Sequence, residues 1–197
     1  MRRDADERPP RRGQRHAPKG TLRLFVALYP PQAVVAALFD ALARESLPPH
    51  RTTPRDQVHL TAHFVGEVAE RDLAAVVESV RAAARGVQPF EMAPLHLAPL
   101  PESGPARLVA ALTSAPSALL ELHDRLVARL ARGRRKGAAF LPHLTLARFD
   151  APTRCELATP LVHVPPFAVD AVHLMQSRIG EGAVHHRGLV RVELGSR

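Results

Sequence analysis

The chain is predicted to be an α+β protein of two similar lobes. Each lobe is expected to be an antiparallel sheet backed by outer helices, with a central cleft between the two sheets. Three observations predict this. Strand-like alternation and helical spacing follow one another along almost the whole chain from residue 21 onward. A short motif occurs twice, as His59-Leu60-Thr61 and His143-Leu144-Thr145. The two copies lie about half the length of the folded body apart, each within a comparable run of elements.

The elements follow in order. Thr21–Leu28 alternates as a strand does, and Pro30-Pro31 ends it, with Pro31 suited to the first turn of a helix. Residues 32–45 carry Val34, Val35, Leu38 and Leu42 at helical spacing. Pro48, Pro49 and Pro54 mark residues 46–56 as loop. Residues 57–65 form the first motif strand, closed by Gly66. A second amphipathic helix spans 70–84, with Leu73, Val76, Val77 and Val80 on one side. A turn at 86–89 leads to a strand at 90–97, interrupted by Pro94, and then to a strand at 107–112. Leu119, Leu122, Leu126 and Leu130 predict a third helix over 117–132. The second motif strand covers 140–149, and a proline-bearing connection fills 150–165. Strands at 167–175 and 189–194 close the fold, joined through a glycine-rich stretch at 178–188.

Composition sets limits. The chain of 197 residues suits one domain. Aromatics make up 4% and Trp is absent, so the core must be built from Ala, Leu and Val. The single cysteine, Cys155, excludes an intramolecular disulfide and a cysteine-based metal cage. No apolar run is long enough to span a membrane, and the start lacks a signal peptide's apolar segment. A cytoplasmic monomer is expected. Residues 1–20 hold seven Lys and Arg against three Asp and Glu, which is half of the chain's net +8. With Met1 as their one large apolar side chain, they are expected to be a disordered basic arm, able to add nonspecific affinity for RNA phosphates. Residues 21–197 are the folded domain. Arg129, Arg132, Arg134, Arg135 and Lys136 cluster near the end of the third helix, where cations suit the helix C-terminus.

The repeated motif carries the chemistry. With 11 His and 8 Thr, composition alone gives roughly 0.4 His-x-Thr patterns, so two copies with the same middle Leu are a signal. In a strand, residues i and i+2 face the same way. Each copy therefore offers one imidazole and one hydroxyl side by side, and two facing copies can surround one phosphate. Histidine exchanges protons near neutral pH. One imidazole can take a proton from water while the other protonates the departing oxygen, and the residues alone do not say which does which. The Thr hydroxyls can donate to the non-bridging oxygens as charge builds. Neither metal nor cofactor is expected. His59 and His63 would span roughly 13 Å of strand, too far for one ion. Alternation puts His63 on the His59–Thr61 face, at the rim of the cleft, and Arg148 on the face opposite His143, in a structural role. His185 and His186 fall in the glycine-rich segment, from which they could fold back over the cleft.

With these residues in hand, the chain resembles the two-histidine (2H) phosphoesterase superfamily. More closely, it is similar to the RNA 2′,3′-cyclic phosphodiesterases, also called the 2′-5′ RNA ligase family. The carrying pieces are RLFVAL at 23–28, the HLTAHFVG block at 59–66 and PHLTLARF at 142–149. The resemblance implies the bilobal 2H phosphoesterase-like fold. It also implies hydrolysis of terminal 2′,3′-cyclic phosphates to 2′-phosphomonoesters, with reversible 2′-5′ RNA ligation in some members. It assigns His59 as proton donor, His143 as proton acceptor, and Thr61 and Thr145 as phosphate-binding. His63, Arg148, His185 and His186 are candidate substrate contacts. The chain departs from the family pattern at Ala62, where a larger aliphatic is usual. Thr52 and the small aliphatics near 108–112 stand where aromatics are common, and His185-His186 where a C-terminal aromatic is common. Two other activities fit the sequence: a phosphoesterase for small cyclic nucleotides or ADP-ribose cyclic phosphate, and a non-catalytic RNA-end binding protein.

Overall fold

The computed structural model describes residues 20–130, 139–180 and 183–195. All but one residue of the expected basic arm, and four of the five residues of the basic cluster, lie outside the described residues. In chain order the elements are β1 (Thr21–Leu28), α1 (Gln32–Leu42), β2 (His50–Thr52), β3 (Leu60–Ala69), α2 (Leu73–Ala84), β4 (Phe90–Met92), β5 (Pro94–Leu100), β6 (Ala106–Thr113), α3 (Ser117–Leu130), β7 (His143–Thr153), β8 (Phe167–Val169), β9 (Ala171–Gly180) and β10 (Ala183–Glu193).

Strands β10-β9-β1-β3-β7-β6-β5 form one sheet in that order, with β2 as an eighth strand paired to β7. Every pair in it is antiparallel. The expectation of two separate sheets is corrected here: the two halves are one sheet. The two motif strands, β3 and β7, join at a single residue pair, Leu60 opposite Leu144. A small second sheet, β4 with β8, stands apart. It accounts for two strands that break where the sequence reads as continuous. Phe90–Leu97 splits at Ala93, and Phe167–Met175 splits at Asp170. Pro94 can open β5 because its missing N–H falls at a strand start.

Two further expectations change. Gly66 does not close the first motif strand; it sits inside β3 with φ +89°, beside a skipped residue, Val65. A left-handed backbone of this kind suits glycine at a bulge. The segment expected to be a glycine-rich link is mostly strand, because β10 starts at Ala183 and pairs along its length with β9. Pairing with β9 outweighs the weak strand preference of glycine.

The three helices and the sheet enclose the main core. Leu24, Val26 and Leu28 of β1, Leu60 and Ala62 of β3, and Leu144 and Leu146 of β7 meet Val34, Val35 and Leu38 of α1, Val76 and Val80 of α2, and the Leu119–Leu122–Leu126–Leu130 stripe of α3. The opposite face of the sheet carries two small apolar clusters. Phe25, Ala27 and Met175 with Tyr29 lie on the first half, and Ala98, Leu100, Ala110 and Leu112 with Leu108 on the second. Between them runs the seam of β3 and β7. No described helix is long and apolar enough to cross a membrane.

Candidate active site

The seam brings the two motifs together. Leu60 and Leu144, the middle residues of the two motifs, are paired and both buried in the main core. Their flanking residues must then point to the other face. Antiparallel pairing sets His59 toward Thr145 and Thr61 toward His143. All four motif side chains therefore share one face, related by an approximate twofold through the leucine pair. The cross-strand partners agree, because Thr61 lies opposite Ala27 and Thr145 opposite Ala110, both of the open-face clusters.

Strict alternation fails two residues further on, and it fails the same way in both strands. In β3, Val26 pairs with His63 and Ala27 with Thr61, so Ala62 is skipped. In β7, Val109 pairs with Ala147 and Ala110 with Thr145, so Leu146 is skipped. A bulge adds one residue and reverses which face the following residues take. His63 is therefore not at the rim with His59. It lies opposite Val26 on the helix side, its ring 6.4 Å from that of His123 on α3. Arg148, expected on the far face, lies opposite Leu108 on the motif face. Phe64 arrives there as well, opposite Phe25, with the two rings 6.4 Å apart. The fifth residue after each motif histidine thus joins its motif.

The two imidazoles are held alike. His59 Nδ1–H donates to the Gln57 carbonyl at 2.7 Å, and His143 Nδ1–H donates to the Leu141 carbonyl at 2.8 Å. A carbonyl can only accept, so each ring carries its proton on Nδ1 when neutral and leaves Nε2 for chemistry. The surroundings of His59 are aromatic. Phe25 lies 5.0 Å from its ring, Tyr29 5.7 Å and His186 5.0 Å, with His186 edge-on. His186 also stands 4.9 Å from Phe25, and its Nδ1 is buried without a hydrogen bond among the described residues. His185, its neighbour on β10, is exposed and follows strand alternation to the other face. Of the two C-terminal histidines, the structure brings in His186.

Burial pushes His59 down to about 4; the Gln57 carbonyl partly opposes this, and His186, Arg148 and His143 add to it. Burial, then Arg148, also lowers His186. Burial, with Asp56 nearby, raises the Tyr29 hydroxyl to about 12. Burial is the largest cause in each case; cationic Arg148 adds to it at both histidines, and Asp56 partly opposes it at His186. Among the described residues, no group of three or more His, Cys, Asp or Glu is placed to hold a metal ion.

Sequence reasoning missed Phe25, Tyr29 and Phe64. Phe25 and Tyr29 do lie on the same chain segment, in β1 and just past its end. Their relation to His59 depends on which strand β1 pairs with, and local pattern does not fix that. Phe64 is an apolar side chain left 57% exposed on the motif face.

The fold of this chain has solved relatives. The fold is similar to that of TT0787 of Thermus thermophilus, at 28% identity and a TM-score of 0.78, over 89% of this chain and 99% of that one. It is also similar to E. coli LigT complexed with ATP, at 25% identity and TM-score 0.75 over 90% and 99% of the two chains. The same holds for LigT complexed with 3′-AMP, at 23% identity and TM-score 0.74 over 90% and 99%. No curated protein matches the chain. The model of the 2′-5′ RNA ligase superfamily matches residues 30–181, and the chain belongs to that family.

Proposed function

We propose that this chain is an RNA 2′,3′-cyclic phosphodiesterase that works by metal-independent two-histidine catalysis. The observation that carries the reading is the seam, where two His-Thr pairs face the same space with both Nδ1 atoms tied to backbone carbonyls. In the proposed reaction, His143 Nε2 takes a proton from water as its oxygen attacks phosphorus. The bond from phosphorus to the 3′ oxygen breaks, and His59 Nε2–H gives that oxygen its proton. The product is a 2′-phosphomonoester. Thr61, Thr145 and Arg148 donate to the non-bridging oxygens, where charge builds in the transition state. A 5′-hydroxyl in place of water would give reversible ligation through a 2′-5′ link.

An acid must hold a proton, and burial leaves His59 neutral in the empty protein. A phosphate anion beside it supplies the opposite charge that favours the protonated ring. Substrate thus brings His59 into its acid form. The expected result is that the His59 ring, followed by NMR, titrates near 4 in the free protein and moves up when inorganic phosphate is added. A midpoint near the ordinary histidine value in both states would refute this coupling.

The nucleobase is proposed to lie over the exposed Phe64, which the buried Phe25 backs. The His186 Nδ1 is available there to a ribose hydroxyl. ATP and 3′-AMP in LigT support a nucleotide as the ligand class. Base–aromatic stacking is worth about 1–3 kcal/mol per base. Phe64→Ala is therefore expected to raise KM about fivefold or more with kcat near wild type. An unchanged KM would remove Phe64 from the base site.

The whole reading is tested by hydrolysis of 2′,3′-cyclic AMP and of a short RNA ending in a cyclic phosphate, with EDTA present. A 2′-phosphate product is expected, and the better substrate says whether RNA or a small cyclic nucleotide is the target. Tight binding of the RNA end without turnover would instead make the chain a binding protein.

A further inference from the structure

A histidine remote from the seam touches the supports of both motifs. His123 lies on α3 beside the buried Leu122, on the side of the helix that meets the sheet. Its Nδ1–H donates to the Ala62 carbonyl at 2.7 Å. Ala62 is the skipped residue of the β3 bulge, where the ladder leaves backbone groups in need of a partner. The same ring lies flat on Phe140, with centroids 3.9 Å apart and planes 7° from parallel. Phe140 precedes Leu141, whose carbonyl accepts from His143 Nδ1. One side chain therefore holds the bulge that follows His59 and Thr61, and also the approach to His143.

We propose that His123 is a positioning residue that ties the two motif histidines together, through one ring nitrogen to the β3 bulge and through its ring face to the segment that leads into β7. The inference rests on the proposed roles of His59 and His143 as acid and base. The bulge sets which residues face the seam. Phe64 and Thr61 stay on one face only while Ala62 remains out of the ladder. The Leu141 carbonyl fixes the rotation of the His143 ring about its Cβ–Cγ bond, and Phe140 anchors that carbonyl against α3. His123 itself contacts neither motif imidazole, so its effect must pass through these two backbone supports.

The two contacts are separable. His123→Phe keeps a flat ring against Phe140 and removes the donor to Ala62. His123→Asn keeps an N–H near the Nδ1 position and removes the ring. The measurement is NMR of the His59 and His143 ring N–H and C–H signals in the substrate-free protein, with kcat and KM on 2′,3′-cyclic AMP alongside. For His123→Phe we expect the His59 signals to shift, its titration midpoint to rise from about 4 as burial loosens, and the His143 signals to stay. For His123→Asn we expect the His143 signals to move and those of His59 to stay. In each case kcat is expected to fall about tenfold with KM within about twofold, the scale of a small misplacement of reacting groups. Unchanged signals in both variants overturn the proposal, and so does an equal disturbance of both rings in either one. If His123→Phe does not fold, His123→Asn alone decides. The ring signals need no substrate, so a chain that hydrolyses nothing tests the proposed function and leaves this inference to be judged on the spectra.

Discussion

With His59 or His143 replaced by alanine, hydrolysis of 2′,3′-cyclic AMP is expected to fall about 10²- to 10⁴-fold in kcat, the range for losing a positioned acid or base. The fold should survive both changes. Each imidazole lies on the open face and is only partly buried, and each holds one backbone carbonyl at the edge of a strand. Thermal melting close to wild type is the control. The two losses are expected to part when the leaving group no longer needs a proton. On a phosphodiester with a p-nitrophenolate leaving group, His59→Ala should regain most of its rate, while His143→Ala stays low because water still needs its base. If the pattern is reversed, the roles of the two histidines are exchanged. If both variants retain wild-type rates on the cyclic substrate, the seam is not where the chemistry happens.

The shared face of each motif was legible because its period is short. His-Leu-Thr needs only strand alternation to set an imidazole and a hydroxyl on one face, and the structure pairs the two central leucines. Pairing was not legible. Whether the two halves make one sheet or two turns on pairings between strands far apart in sequence, β3 and β2 with β7, and β1 with β9, and no local pattern encodes them. The bulges were partly legible. In β7 the apolar residues fall at Leu144, Leu146, Ala147 and Phe149, so the alternation breaks between Leu146 and Ala147, and both are buried in the main core. That break is the mark of an extra residue, and it turns Arg148 to the motif face. In β3 the corresponding position holds His63, a polar residue facing the helix side next to α3, and the mark is hidden. His186 was obscured for another reason. The nearby glycines suggested a loop, yet β10 is held by its pairing with β9, a property of the partner strand.

Arg148 tests the bulge, the electrostatics and the chemistry with one substitution. Arg148→Gln keeps hydrogen-bonding capacity and much of the length and removes the charge. If the bulge at Leu146 delivers this guanidinium to the phosphate, kcat/KM is expected to fall about a hundredfold. An electrostatic donor aimed at a developing oxyanion is worth about 10²–10³ in rate. The same charge lowers both His59 and His186. Removing it should let both rings titrate higher than in the wild type, with His59 still held down by burial, its largest cause. The two effects oppose each other for catalysis. A higher His59 midpoint makes a better-filled acid at neutral pH, while the transition state loses its fixed cation. The pH profile separates them: the variant should be slower everywhere, with the limb set by loss of the His59 proton moved to higher pH. The linkage to stability has a definite sign. A histidine whose folded value is depressed contributes stability that is present above its unfolded value near 6.5 and lost as pH falls through about 4. Raising His59 narrows that window, so Arg148→Gln should lose less stability than wild type between pH 6.5 and 4. Thermal melts across that range, read beside the rates, test the placement. A variant that is slow but keeps the wild-type acid profile of stability and of ring titration would put Arg148 away from His59. A variant with shifted titrations and an unchanged rate would leave it beside His59 but off the phosphate.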